Sequence, residues 1–243
     1  VRDWHGKRYW IVGASEGLGR ALALQLSRAG VELVLSARNE DRLAKLAGAL
    51  PGRASVVPLD VRKPESVATA ADRVGEIDGL VYMAGVYWPQ RAREWDAEKV
   101  EAMCDVNFTG AARVLGRVVP EMARRDYGHV VLAGSLAGYR GLPRSVGYGS
   151  SKAAVMHLAE SLHAEFRNGG VEVQLVNPGF VRTRLTDKND FNMPFLMEPD
   201  AAAREVFEHM TAGGFRRGFP AGFAAMFRAA QFLPDWAYYR LFS

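Results

Sequence analysis

Apolar positions along this chain follow two alternating rhythms. Six short, β-branched and nearly continuous apolar runs stand out: "RYWIVG", "VELVLSA", "ASVVPLD", "IDGLVYM", "GHVVLAG" and "VEVQLVN". Each is long enough for one buried strand. Between them, apolar residues recur every three or four positions, as an amphipathic helix requires. The first such helix is expected from about Leu18 to Arg28, and the next over "NEDRLAKLAGAL", with Asn39 as its N-cap. Strands apolar on both faces and separated by helices pair in parallel and are covered on both sides. The pattern predicts an α/β fold: one doubly wound, mostly parallel sheet within a single domain, residues 1–243. No repeat or low-complexity linker divides it.

Composition narrows the choices. With 243 residues, 49% hydrophobic and 24% charged, the chain can bury a substantial core as a globular protein. One cysteine, Cys104, rules out an internal disulfide and fits a reducing, cytoplasmic setting. The five histidines lack metal-ligand spacing, so no metal site is expected. "VRDWHGKRYW" has no apolar run ahead of a cleavage site and does not read as a signal peptide. No apolar stretch reaches the roughly 18 residues of a membrane span. The net charge of +4 comes from dispersed arginines, so no nucleic-acid partner is expected.

The first strand runs into "GASEGLGR", with Gly13, Gly17 and Gly19 ahead of a helix. Glycines let a backbone approach a pyrophosphate, and the N–H groups and dipole of the helix start favour the anion. The spacing is G-x3-G-x-G rather than the general dinucleotide fingerprint. A tight connection is the plainer reading, and dinucleotide binding the favoured one at the start of such a chain. After the second strand, Ala37 stands where a carboxylate would bind the ribose of NAD, and Arg38 is either placed for a 2′-phosphate, the favoured reading, or an ordinary solvated arginine. NADP(H) is therefore expected over NAD(H). Glu16, inside the turn, engages Arg38 or repels that phosphate.

Ser135 ends the fifth strand, and Tyr148 and Lys152 follow at i and i+4 on one helix face. A phenol with an ordinary pKa of about 10 trades protons poorly near neutrality. A neighbouring ammonium, helped by an oxidised nicotinamide ring, lowers that value and makes the phenol a tunable general acid; a packed Tyr148, a solvated Lys152 and a turn-forming Ser135 are the plainer readings.

Together these residues resemble the short-chain dehydrogenase/reductase family over most of the chain. The matches are "GASEGLG", Asp60-Val61, Ala84-Gly85, Asn107, Ser135, Tyr148, Lys152 and "NPGFVRT" from Asn177 to Thr183. The resemblance implies a Rossmann-type sheet and hydride transfer between NADP(H) and a carbonyl or alcohol. It implies that Tyr148 donates the proton, Lys152 holds the nicotinamide ribose, Ser135 orients the carbonyl and Asn107 supports a water-mediated proton path. Gly13, Ser15, Glu16, Gly17, Leu18 and Gly19 would cradle the cofactor. Asp60 and Val61 would meet its adenine, Ala84 and Gly85 its centre, and Pro178, Gly179, Val181 and Thr183 its nicotinamide end. Two positions depart from the family pattern: Val12 replaces a threonine before the first glycine, and Met83 replaces an asparagine. A homodimer or homotetramer is also implied.

Residues 184–199 resemble the family's substrate lid. Phe191, Met193, Phe195, Leu196 and Met197, with Tyr87, Trp88, Tyr139 and Phe180, either line an apolar pocket or pack in the core. A hydrophobic ketone, lipid or acyl substrate is expected. In the extension 215–243, Phe219, Phe223 and Phe227 form a stripe if helical, followed by Phe232, Trp236, Tyr238 and Tyr239 and flanked by Arg216, Arg217, Arg228 and Arg240. This segment seals the pocket, meets a second subunit or lies on a membrane surface. Arg124 and Arg125 are either solvated or a dock for an acidic carrier. The rival to an enzyme is a non-catalytic NADP(H)-binding sensor or scaffold.

Overall fold

Each of the six apolar runs contains a parallel strand in a computed structural model, which describes residues 2–242. Val1 and Ser243, the ends of the expected domain and extension, lie outside the described residues. The strands are β1 (Arg8–Val12), β2 (Glu32–Ser36), β3 (Ala54–Val56), β4 (Gly79–Tyr82), β5 (Gly128–Ala133) and β6 (Val171–Pro178), and a seventh, β7 (Arg216–Phe219), joins them. The sheet runs β3-β2-β1-β4-β5-β6-β7, with every neighbouring pair parallel. The order reverses beside β1, and crevices in such sheets open there, at the strands' carboxyl ends.

Period-two burial explains why both faces are covered. Trp10, Val34, Leu80, Tyr82 and Val130 point into one core, where α3 (Pro64–Val74), α5 (Gly110–Arg124) and α6 (Val146–Phe166) pack. Tyr9, Ile11, Leu33, Val81 and Val131 point into the other, under α1 (Gly17–Arg28), α2 (Glu40–Ala49) and α7 (Pro199–Ala212). Asn39 caps α2 as its sequence suggests, accepting from the Arg42 N–H at 2.9 Å. A short helix, α4 (Ala97–Cys104), leads through a π-turn at Asp105–Thr109 into α5.

The C-terminal extension differs from the continuous helix considered above. Residues 216–219 are the edge strand β7, so Phe219 is not part of a helical stripe but fully buried. Arg216 pairs with Glu160, and Arg217 with Glu205 at 2.6 Å. "RRGF" lacks any strand signature, and only pairing with β6 makes it one. The remainder forms α8 (Ala221–Ala230) and α9 (Asp235–Phe242).

One buried polar chain crosses the sheet. The Tyr9 hydroxyl lies 2.8 Å from Nδ1 of His129, whose Nε2 lies 2.9 Å from Oε1 of Gln174. Nε2 of Gln174 donates to the carbonyls of His209 and Gly214. Burial lowers the His129 pKa to about 3, so the folded protein holds it neutral. The unfolded chain takes up a proton near pH 6.5 that the folded chain refuses, so stability falls as pH drops from that point towards 3. Denaturant melts should lose about 1.2 kcal/mol between pH 6 and pH 5 from this site. His129→Gln, which cannot titrate, should lose that part of the slope. An unchanged slope would remove His129 from the account.

Candidate active site

At the carboxyl end of β1 the chain turns so tightly that only glycine fits. Gly13 adopts φ +96°, and a Cβ there would lie 2.4 Å from the Ala84 nitrogen. A Cβ on Gly19 would lie 2.2 Å from the Gly13 carbonyl oxygen. The N–H groups of Gly13 and Ala14 both bond to the Ser36 carbonyl, folding the loop against β2. Glu16, at the N-cap of α1, makes no side-chain capping bond, so the helix start offers its N–H groups to the cleft.

The charges at this end are arranged differently from expectation. Glu16 bridges Arg42 at 2.6 Å and Arg184 at 3.1 Å, and leaves Arg38 alone. Arg38 is exposed, lines the cleft and has no ion-pair partner among the described residues. Asp60 lies nearby, its carboxyl held below the usual range mainly by its bond to Arg62. Arg42 and Arg184 escaped the sequence reading because only the fold brings α2 and the segment after β6 to Glu16.

Beyond β5, Ser135 caps a single 3-10 turn, its Oγ accepting from the Ala137 N–H at 3.1 Å. Tyr148 and Lys152 lie in the opening turns of α6, with Nζ 5.9 Å from the phenol ring centre. Lys152 is buried and donates to the Ala133 carbonyl at 2.8 Å. Desolvation pulls its pKa down to about 8. The lowered phenol pKa expected from sequence is not what this arrangement produces. Burial raises Tyr148, and the Ser135 side chain alone opposes the shift. Desolvation of the phenol itself is the largest influence on it, which is why proximity to an ammonium did not settle the sign.

Asn107 sits in the π-turn, completely buried behind the cleft wall. Its Oδ1 accepts from the Val86 N–H at 2.8 Å, and its Nδ2 donates to the Val86 carbonyl and Ser151 Oγ at 3.0 and 2.9 Å. It thereby fixes the Gly85–Val86 backbone as the chain leaves β4.

One cleft of about 1010 Å³ joins these features. Gly13, Ser15, Glu16, Gly17, Leu18, Gly19, Arg38, Asp60 and Val61 line one end; Ala84, Gly85, Ser135, Tyr148, Lys152, Pro178, Gly179, Val181 and Thr183 line the rest. Val12 and Met83, the two departures, line it as well. Of the apolar candidates, Tyr87, Phe180 and Phe191 face the cleft, joined by Phe223 and Phe227 of α8 and Phe242 of α9. Met193, Phe195, Leu196, Met197, Trp88 and Tyr139 do not line it. Tyr139 instead packs on the core and takes a bond from Asn177. Segment 184–199 is tied across the cleft: Tyr87, edge-on to Tyr148 at 4.9 Å, donates to Asn189 at 2.7 Å, and Arg144 pairs with Asp190. Arg124 and Arg125 are neutralised by Glu121 and Glu76, which leaves little charge for an acidic carrier.

The sequence pattern of short chain dehydrogenases matches residues 7–193. This chain belongs to the short-chain dehydrogenase family. An uncharacterized oxidoreductase of Myxococcus xanthus is 38% identical over 232 residues, covering 93% of this chain and 92% of that one. A Burkholderia phymatum short chain dehydrogenase/reductase in complex with NAD superposes with a TM-score of 0.86 at 26% identity, covering 94% of both chains. A Sphingobium yanoikuyae short-chain dehydrogenase in complex with NADPH gives 0.81 at 27% identity, covering 97% of this chain and 94% of its own. This short-chain dehydrogenase is thus an oxidoreductase with a Rossmann-type sheet, of a family that binds nicotinamide cofactors and acts on small molecules. The family match ends before α7, so the phenylalanines of α8 and α9 are supplied from outside it. Among the described residues, no helix is long and apolar enough to cross a membrane.

Proposed function

We propose that this short-chain dehydrogenase interconverts an apolar carbonyl compound and its alcohol with NADP(H), using Tyr148 as general acid and base. The observation that carries the reading is one continuous cleft. It has a glycine cradle and Arg38, without an ion-pair partner among the described residues, at one end, Ser135, Tyr148 and Lys152 at its centre, and phenylalanines at the other. The cradle fits a dinucleotide because its glycines fold the backbone tightly against itself and the uncapped start of α1 lines the cleft, offering N–H groups to an anion. Ala37 removes the carboxylate that would favour NAD, and Arg38 offers a guanidinium to a 2′-phosphate.

The nicotinamide, when bound, supplies or accepts the hydride. Gly13, Gly17 and Gly19 hold the pyrophosphate, and Lys152 holds the nicotinamide ribose. Ser135 and Tyr148 bind the substrate oxygen, and Tyr148 delivers its hydroxyl proton to that oxygen during reduction. Asn107 acts behind them as a positioning residue for the Gly85–Val86 backbone. Phe180, Phe223 and Phe227 exclude water and favour a long or ring-bearing apolar substrate over a small polar one. Segment 184–199 serves as the lid, tied to the catalytic helix through Tyr87 and Arg144.

The test is NADPH oxidation against soluble ketones of graded chain length, with NADH alongside. Turnover should rise with chain length and prefer NADPH. Arg38→Ser should raise the NADPH KM by about 10- to 100-fold, the worth of charge-assisted bonds to phosphate, and leave NADH within about twofold. Equal turnover with both cofactors in the parent would remove the NADP(H) assignment. Tight NADPH binding with no turnover on any ketone would favour the sensor reading.

A further inference from the structure

Helices α8 and α9 and the turn between them carry the most exposed large apolar side chains among the described residues. Phe232, in the turn between the helices, is 87% exposed, Trp236 75% and Leu241 70%, and Tyr239, Met226 and the nearby Phe195 add to them. Trp236, Tyr239 and Arg240 lie at i, i+3 and i+4 and so share one face of α9. Isolated exposed hydrophobic residues are ordinary, but several on two successive helices and the turn between them mark an interaction surface.

Charge decides what the surface fits. Residues 221–242 contain one acid, Asp235, and it is paired with Arg140. Arg228 and Arg240 are exposed and make no ion pair among the described residues. The patch is therefore aromatic, aliphatic and net positive, the composition that settles at the headgroup level of an anionic bilayer. A second copy suits it less, because a self-complementary interface would set this net-positive segment against itself, and its one acid, Asp235, is already paired with Arg140.

The same two helices face both ways. Phe223, Phe227 and Phe242 line the cleft, and the Phe195 ring stands 5.3 Å from Phe223, between the cleft wall and solvent. We infer that α8 and α9 form a docking face for an anionic lipid surface, placing the aromatic end of the cleft where an apolar substrate dissolved in the bilayer can enter. The docking stands independently of the hydride chemistry, and only its purpose rests on the proposed activity.

Flotation of the full chain with vesicles of phosphatidylcholine, with and without phosphatidylglycerol, tests this directly. The protein should float with the anionic vesicles and lose most of that binding at high salt. Phe232→Ser/Trp236→Ser/Leu241→Ser should weaken partitioning at least about tenfold, and Arg228→Gln/Arg240→Gln about tenfold on anionic vesicles alone. These outward-facing positions should leave NADPH oxidation with a water-soluble ketone unchanged. Failure of that ketone assay in the parent would count against the activity, not the docking. Absence of the parent protein from the floating fraction would overturn the docking, as would equal flotation of the triple variant. A fall in solution mass on making the triple variant would assign the face to a second copy instead.

Discussion

Tyr148→Phe should lower turnover by about a thousandfold, the usual worth of a positioned proton donor, while NADPH binding and melting temperature stay close to the parent values. The substitution removes one hydroxyl and keeps the ring that packs edge-on to Tyr87. Lys152 contributes a pH signature to the same prediction. Its pKa is lowered to about 8 by burial, so it is charged below that pH and neutral above it. In the proposed mechanism, reduction needs a proton on Tyr148 and a positive charge on Lys152. The kcat/KM for NADPH, which reports the cofactor-free protein, should therefore be level below about pH 8 and fall above it. Lys152→Met should flatten that limb as well as weaken the cofactor. If Tyr148→Phe retains a tenth or more of parental turnover, Tyr148 is not the proton donor. A falling limb that persists in Lys152→Met would belong to another group.

How far the sequence revealed this depends on whether a feature is local. Strands β1, β2, β4, β5 and β6 announce themselves because both faces are buried, so their apolar runs are unbroken. The glycine turn, Ser135 and the Tyr148/Lys152 spacing are equally local, since a turn and one helical repeat place them. β7 was illegible because "RRGF" becomes a strand only through its pairing with β6. The Glu16–Arg42–Arg184 bridge joins three distant parts of the chain, and no spacing rule reaches across them. The sign of the Tyr148 shift was illegible for another reason: sequence places the ammonium but not the desolvation around it. Phe223 and Phe227 were visible as a stripe four residues apart. That the stripe turns inward to the cleft while Trp236 turns outward needed the fold.

Gly13→Ala sets the second large effect, and Gly48→Ala is its control. Both add one methyl group. At Gly13 the backbone has φ +96°, a region costly for a side chain, and the methyl would stand 2.4 Å from the Ala84 nitrogen. Strain and overpacking together should cost about 4 kcal/mol, seen as a fall in Tm of about 8–16 °C. Relief can come only by moving the β1 loop away from the end of β4, where Ala84 and Gly85 line the same cleft. NADPH affinity should therefore fall at least about a hundredfold, because misplaced N–H groups no longer converge on the pyrophosphate. Gly48 is exposed in α2, and a Cβ there meets nothing within 4 Å. Alanine at that position should stabilise by about 0.5–1 kcal/mol, since helix propensity is the only thing that changes. Opposite signs from the same chemical change would tie the cradle's glycine to geometry rather than to composition. A Gly13→Ala protein that binds NADPH like the parent would show that the pyrophosphate is held elsewhere, and the assignment of this turn as the cofactor cradle would fall with it.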